Sequence, residues 1–203
     1  MVEPQLPKLM TWVRFPSPAP DILTPDLARI SSNMTEVSGF PPVAGDNAIV
    51  LVLGSMPGVR SLEEQQYYAQ PRNAFWTIMD GLFQAGVNLP YQKRLDVLRA
   101  SGIALWDVLQ SCERPGSLDS SINESTAMPN DFVSFFEKHD RIRQIFFNGQ
   151  TASRIYLGKV QPNLDSRFAS IPCVVLPSTS PAHASMTIGE KSRKWSIICN
   201  AVS

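Results

Sequence analysis

Four short stretches hold residue types able to do chemistry. The first, Gly54-Ser55-Met56-Pro57-Gly58, follows the apolar run Ala48–Leu53. Its small residues let backbone N–H groups approach a ligand carbonyl or anion with no Cβ in the way. The second is Tyr67-Tyr68-Ala69-Gln70-Pro71-Arg72-Asn73-Ala74-Phe75-Trp76. Tyr68, in a polar context, offers a face for a flat heterocycle, and stacking on a nucleobase contributes about 1–3 kcal/mol. Phe75 and Trp76 open an amphipathic segment and read as core. The third is a pair of amides, Asn73 and Asn148, each placed after an apolar run. Singly each reads as a turn residue; facing one crevice, the two would hold a water and read a polar ring edge. The fourth, Pro177-Ser178-Thr179-Ser180-Pro181-Ala182-His183, is a stiff loop rich in hydroxyls. Hydroxyls and backbone N–H groups position phosphates, and a small apolar tip can wedge between base steps. Lys191, Arg193 and Lys194 lie behind it as candidate phosphate contacts.

Other chemistries fit less well. A nucleophile elbow needs glycine two residues before the serine, and Leu53 stands there, so the order Ser55, Asp107, His183 lacks its activating turn. No Gly-Lys-Ser/Thr follows the glycines, which excludes a Walker loop. Cys112, Cys173 and Cys199 have no metal-ligand spacing and are odd in number, as in a reduced cytoplasmic interior. No metal or organic cofactor is implied. The apolar runs fall short of the roughly 18–20 residues of a membrane span, and no secretory signal opens the chain.

These stretches need a scaffold. The chain has 203 residues, 43% of them apolar and 18% charged, enough for one soluble domain with a real core. Eighteen bases balance eighteen acids, which argues against binding nucleic acid by bulk charge. Beyond residue 46 the count is 15 bases and 13 acids, compatible with a small basic face. Eight of the seventeen prolines fall within residues 1–46, so that segment reads as a poorly ordered extension, with Met34 as an alternative start. The domain proper is expected over 47–203. Strands are predicted at Ala48–Leu53, Ile103–Val108, Gln144–Phe147 and Cys173–Leu176. Helices are predicted near Ala74–Phe83, Tyr91–Ser101, Asn130–Lys138, after Gly149 to Leu157, and over Glu190–Val202. Residues 114–119 read as loop. Continuous apolar strands alternating with helices imply an α/β fold: a three-layer α-β-α sandwich around a four-stranded, mainly parallel sheet. The candidate motifs fall at the carboxyl ends of its strands, where such sheets bind ligands.

Gly54-Ser-Met-Pro-Gly58, Ser61-Leu62, Tyr67-Tyr68-Ala69-x-Pro71-Arg72-Asn73-x-Phe75-Trp76, Leu105-Trp-Asp-Val108 and Leu176-Pro-Ser-Thr-Ser-Pro181 together resemble the uracil-DNA glycosylase superfamily. The pattern is most similar to its hypoxanthine (deoxyinosine) branch and covers residues 47–203. The resemblance implies a base-excision enzyme acting on DNA that contains a deaminated base, with Gly54, Ser55, Met56 and Pro57 cradling the extruded base and Tyr68 stacking on it. It assigns the catalytic roles to Asn73 and Asn148. Three positions bear on that assignment: Met56 stands where many relatives carry a water-activating Asn or Asp, Gln70 where the branch usually has histidine, and Leu176 where many relatives have His or Asn.

The implied chemistry is hydrolysis of the N-glycosidic bond after the nucleotide swings out of the duplex. Donors from Ser55, Met56 and Asn148 would face the charge growing on the departing base, Asn73 would hold the water, and residues Thr179 to His183 would fill the gap in the duplex. The motifs hold no lysine for a Schiff base, so the enzyme is expected to be monofunctional, monomeric and nucleoid-associated in use. Asp107 is the reserve catalytic candidate. A uracil or mismatch-specific glycosylase is the nearest rival. A nucleoside- or nucleotide-binding α/β enzyme and an inactive DNA-binding relative are the alternatives from other classes.

Overall fold

Val50–Gly54 (β2) is buried along its whole length, and that one fact sets the architecture. A strand covered on both faces has no polar side to present, so its sequence is an unbroken apolar run. The computed structural model describes residues 36–203. In it, β2 pairs in parallel with Ile103–Asp107 (β3) on one side and Gln144–Asn148 (β6) on the other. Cys173–Leu176 (β7) pairs in parallel with β6 and completes the order β3-β2-β6-β7.

Alternate residues of each strand enter different cores. Val50, Val52, Ile103, Leu105 and Phe146 pack with Phe75 to Phe83 (α2), Tyr91–Ala100 (α3), Ile188–Trp195 (α7) and Ile197–Val202 (α8). Leu51, Leu53, Trp106, Ile145 and Phe147 pack with Phe132–Lys138 (α4), Gln150–Ile155 (α5) and Ser166–Ala169 (α6) on the opposite face. The expected three-layer sandwich is the fold observed. Val59–Glu64 (α1) leads out of the first glycine-rich loop.

The chain goes from β2 to β3 on one side and later returns to β6 on the other side of β2. The sheet's topological switch point therefore lies between β2 and β6, where the connecting segments part and leave a crevice at the carboxyl ends of the strands.

Several boundaries differ from the sequence reading. A second, antiparallel sheet was not foreseen: Glu36–Ser38 (β1), Leu109–Glu113 (β4) and Met128–Pro129 (β5), in the order β1-β4-β5. Its strands are short and half exposed, and Leu-Gln-Ser-Cys-Glu carries little β-pattern to read. Of the expected extension 1–46, residues 1–35 and Met34 with them lie outside the described residues, while residues 36–46 contribute β1 and the Val43–Leu105 bridge. The predicted helix at Asn130 begins at Phe132 instead. Asp131 caps it by accepting from the Ser134 N–H at 3.1 Å, and the Asn130 amide turns away to donate to the Asp107 carbonyl at 2.9 Å. The helix predicted over Glu190–Val202 starts at Ile188, where Thr187 and Glu190 form a reciprocal capping box, and it breaks at Ser196. After Ile155 the helix widens into a π-turn over Tyr156–Val160 and then tightens into a short 3-10 turn at Gln161–Asn163. Among the described residues, no helix is long and apolar enough to cross a membrane.

Phe136 is fully buried in the core on the α4 face, away from the crevice. Phe136→Ala should lower stability by about 3–5 kcal/mol through lost burial and a residual cavity, read as a shifted urea midpoint with an unchanged slope.

Candidate active site

The loop after β2 is fixed from behind. Its Gly54 and Ser55 carbonyls accept hydrogen bonds from the Val108 and Leu109 N–H groups at 2.8 and 3.1 Å. The Met56 and Pro57 carbonyls accept from one guanidinium, that of Arg114, whose Nη1 is 3.3 Å from the Met56 oxygen and whose Nη2 meets the Pro57 oxygen. In a trans peptide the C=O and the following N–H point in opposite directions. The N–H groups of Ser55, Met56 and Gly58 are thus turned away from β4 and Arg114. Gly54 is required by close approach: a Cβ there would collide with Asp107 Oδ1 and stand 3.2 Å from the Tyr68 hydroxyl.

Tyr68 has a left-handed backbone, φ +55°, uncommon for a side chain of its size. One face of its ring stacks on the fully buried Phe75, with centroids 4.0 Å apart and planes 25° from parallel. That leaves the other face for a ligand. Its hydroxyl is buried and within no regular hydrogen-bond geometry among the described residues; burial and the nearby Asp107 raise its pKa well above the ordinary phenol value, and the Asn148 amide opposes them. Tyr67, by contrast, is structural. Its N–H donates to the Tyr91 hydroxyl at 2.8 Å, and its carbonyl accepts from Trp76 Nε1 at 2.9 Å.

The two asparagines converge through a third residue. Asn148 ends β6 and grips Thr179 at two points, its Nδ2 donating to Thr179 Oγ1 and its Oδ1 accepting from the Thr179 N–H, both at 2.8 Å. The Thr179 carbonyl in turn accepts from the Ala74 N–H at 3.0 Å, next to Asn73. Asn73 Oδ1 accepts from the Phe75 N–H at 3.0 Å and opens α2. A carboxamide has two N–H bonds, so these contacts leave one uncommitted on Asn148 and both on Asn73. Gly149 has φ +100°, and a Cβ there would press on the Ser178 side chain, so the Asn148-Gly149 turn lets β6 lie against the loop after β7.

Together these segments line a cavity of about 450 Å³ that includes Gly54 to Gly58, Tyr68, Asn73, Asn148 and Ser178 to His183. Its volume falls within the range of small-molecule sites. Within that loop the expected DNA contacts divide. Pro181 and Ala182 form an exposed tip, Ser178 and Ser180 are half-buried, and each of their hydroxyls accepts an N–H two residues on at 3.2 Å. His183 is half-buried, and Arg193 and Lys194 are exposed. Thr179 and Lys191 are corrections. Thr179 is 1% exposed and belongs to the Asn148 clasp, and Lys191 is buried with its ammonium donating to the His183 carbonyl at 2.8 Å. Both side chains turn into the protein.

Two acids also line the cavity, and only one was singled out from the sequence. Asp107 ends β3 beside Gly54, is buried, and has an Oδ2 without a partner among the described residues. Burial raises its pKa to about 7, the charge of Asp119 pushes the same way, and Arg114 opposes them. Asp119 accepts from the Ser55 hydroxyl at 2.7 Å. The serine is thereby committed to a carboxylate, not to an imidazole, and the order Ser55, Asp107, His183 forms no triad. Arg114 and Asp119 were read only as loop, since nothing in Arg-Pro-Gly-Ser-Leu-Asp marks which side chains turn inward. Among the described residues, no group of three His, Cys, Asp or Glu is placed to hold a metal ion.

A carboxyl whose folded pKa lies above its unfolded value stabilises the fold fully below the unfolded value, and that contribution is lost as pH rises to the folded one. For Asp107 the window runs from about 4 to about 7. Asp107→Asn should therefore match the unsubstituted chain in stability near pH 4 and exceed it by roughly 2–4 kcal/mol above pH 7, measured by urea unfolding across that range.

Known proteins resemble this chain in sequence and in fold. The family described as "Uracil DNA glycosylase superfamily" matches residues 41–201. A protein of Methanosarcina acetivorans named hypoxanthine DNA glycosylase is 35% identical over 161 residues, covering 79% of this chain and 96% of its own. A second of that name, from Methanosarcina barkeri, is 32% identical over 155 residues, covering 76% of this chain and 92% of its own. Among solved structures, the solution NMR structure of a Methanosarcina acetivorans protein, provisionally described as a uracil DNA glycosylase, superposes with a TM-score of 0.68 at 32% identity. That alignment covers 82% of this chain and 98% of the other. On the family match and the two relatives, the chain belongs to the uracil DNA glycosylase superfamily.

Proposed function

We propose that the chain is a monofunctional DNA glycosylase that extrudes deoxyinosine from duplex DNA, holds the hypoxanthine in the strand-end cavity and hydrolyses its glycosidic bond. One observation carries the reading. The cavity joins a tyrosine face, the outward N–H groups of the loop after β2 and the amides of Asn73 and Asn148, with the exposed tip Pro181-Ala182 beside it. A flat base with a lactam edge is what such a cup receives. That two relatives bear the name hypoxanthine DNA glycosylase supports reading the base as a purine and not as uracil.

The steps follow from what each group can do. Tyr68 stacks on the extruded base, and the N–H groups of Ser55 and Met56 meet its carbonyl. As the bond from C1′ to nitrogen lengthens, positive character grows on the sugar and negative charge on the base, where preorganised donors act most strongly. Asn148 offers its free N–H to that charge. Asn73 holds the attacking water and, being an amide, orients it without removing its proton. Pro181 and Ala182 occupy the gap in the duplex while Arg193 lies near the phosphates. The enzyme acts as a monomer on chromosomal DNA.

Labelled duplexes with one inosine, uracil or xanthine, treated with alkali after incubation, test the reading. Strand breaks at inosine are expected; breaks at uracil alone would move the assignment to the rival substrate. Intact strands would overturn it. Asn73→Ala and Asn148→Ala should each slow single-turnover excision by about 10²–10³-fold, a loss of donors or water position in the transition state. Asn148→Ala should in addition lower stability by about 1–3 kcal/mol, because it strands the Thr179 N–H and hydroxyl. Loss of activity in a folded Asp107→Asn protein, with Asn73→Ala still active, would reassign the water to Asp107.

A further inference from the structure

Arg114 is 2% exposed, and its three hydrogen bonds all go to carbonyl oxygens: Nε to Gly116 at 3.0 Å, Nη1 to Met56 at 3.3 Å, and Nη2 to Pro57. Among the described residues it makes no ion pair within salt-bridge distance. Burying a cation without a direct counter-ion is unfavourable, and an apolar side chain of similar volume would commonly hold the same space at equal or better stability. Burial lowers the Arg114 pKa, while the charges of Cys112, Asp119 and Asp107 work against that shift, and an arginine keeps its proton in such a setting. A fixed positive charge thus stands directly behind the loop that faces the cavity.

Resting on the glycosylase reading above, we propose that Arg114 is a positioning residue for base departure: through the Met56 and Pro57 carbonyls it fixes the loop and turns the Gly58 N–H toward the leaving base, and its charge stabilises the anion that base becomes. The guanidinium touches neither base nor sugar. Its hydrogen bonds draw electron density from the loop's peptide groups, which makes the Gly58 N–H on the far side of the Pro57 carbonyl a better donor. The charge is in place before reaction, so no reorganisation is needed when negative charge appears on the base. The bond that breaks is C1′–N and its electron pair leaves with the base; the water oxygen forms the new bond at C1′, and the proton that this water sheds ends on the departed base anion. Arg114 exchanges no proton in this step.

Three substitutions separate charge from shape. Arg114→Met removes the charge and the donors, Arg114→Gln keeps donors to the loop carbonyls without the charge, and Arg114→Lys keeps the charge without the planar fork. Single-turnover excision would be measured on one duplex carrying inosine and on the same duplex carrying xanthine, whose second carbonyl makes it the more stable anion. Binding to an abasic-site duplex and urea unfolding would be followed alongside. Arg114→Gln should bind product DNA like the unsubstituted chain yet excise hypoxanthine about 10²-fold more slowly, and lose several-fold less on xanthine. Arg114→Lys should recover at least tenfold over Arg114→Gln on inosine, on the order of what one retained charge contributes. Near-normal rates for Arg114→Gln or Arg114→Met would overturn the inference. Equal losses on both bases, with lysine no better than glutamine, would also overturn it, because they mark shape and not charge. If Arg114→Met does not fold, the lysine and glutamine pair decides. An unsubstituted chain that leaves both duplexes intact would overturn the glycosylase reading and this inference with it, whereas an active one with an active Arg114→Gln overturns this inference alone.

Discussion

Thr179 holds the site together. Its hydroxyl and N–H are taken by the Asn148 amide and its carbonyl by the Ala74 N–H, so three separate segments meet at one buried residue. Without that meeting point, the strand ends would still form a crevice, but the two asparagines and the loop after β7 would have no fixed relation. The clasp has a further effect. Pro181 and Ala182 lie two and three residues beyond Thr179, so force applied to the exposed tip reaches Asn148 through a very short path. The far end of the same loop is tied by Lys191 to the His183 carbonyl, and its start by Trp195 Nε1 to the Pro177 carbonyl at 2.9 Å. The loop is anchored at its start, near its middle and at its end.

The charges around the cavity form a second layer of organisation. Asp107, Asp119 and Arg114 influence one another, and the Ser55 hydroxyl is drawn to Asp119. Burial and the neighbouring Asp119 raise the Asp107 pKa to about 7, and Arg114 opposes them. The side chain at Met56 is buried in the core, and the position contributes its backbone.

Much of this was legible in the sequence, and the reasons for the rest are physical. Val-Leu-Val-Leu and Ile-Phe-Phe announce strands covered on both faces, because only such strands can be apolar without interruption. The sandwich and the placing of the motifs at its strand ends follow from that. Gly54 and the Asn148-Gly149 turn were readable because close approach and positive φ leave few other choices. What sequence could not give was direction. Thr179 and Lys191 have the composition of DNA contacts, yet both turn inward, where Asn148 and the His183 carbonyl satisfy them. Arg114 is the converse case, a charged residue in a Pro-Gly loop that reads as solvated and is almost wholly enclosed. The small sheet escaped notice because strands of two to five residues with half-exposed sides have too short a pattern to register. Thr187-x-x-Glu190 is a capping box that the reading from Glu190 passed over, and it sets the true start of α7.

Phe75 supports Tyr68 from below and is also met edge-on by Trp76 and Trp195, with centroids at 5.0 and 5.9 Å. Two of the chain's four indoles therefore sit one ring away from the stacking slot. Whatever enters that slot alters the electronic surroundings of native fluorophores, so the molecule carries its own optical gauge of occupancy and requires no attached dye to show when the cup is filled.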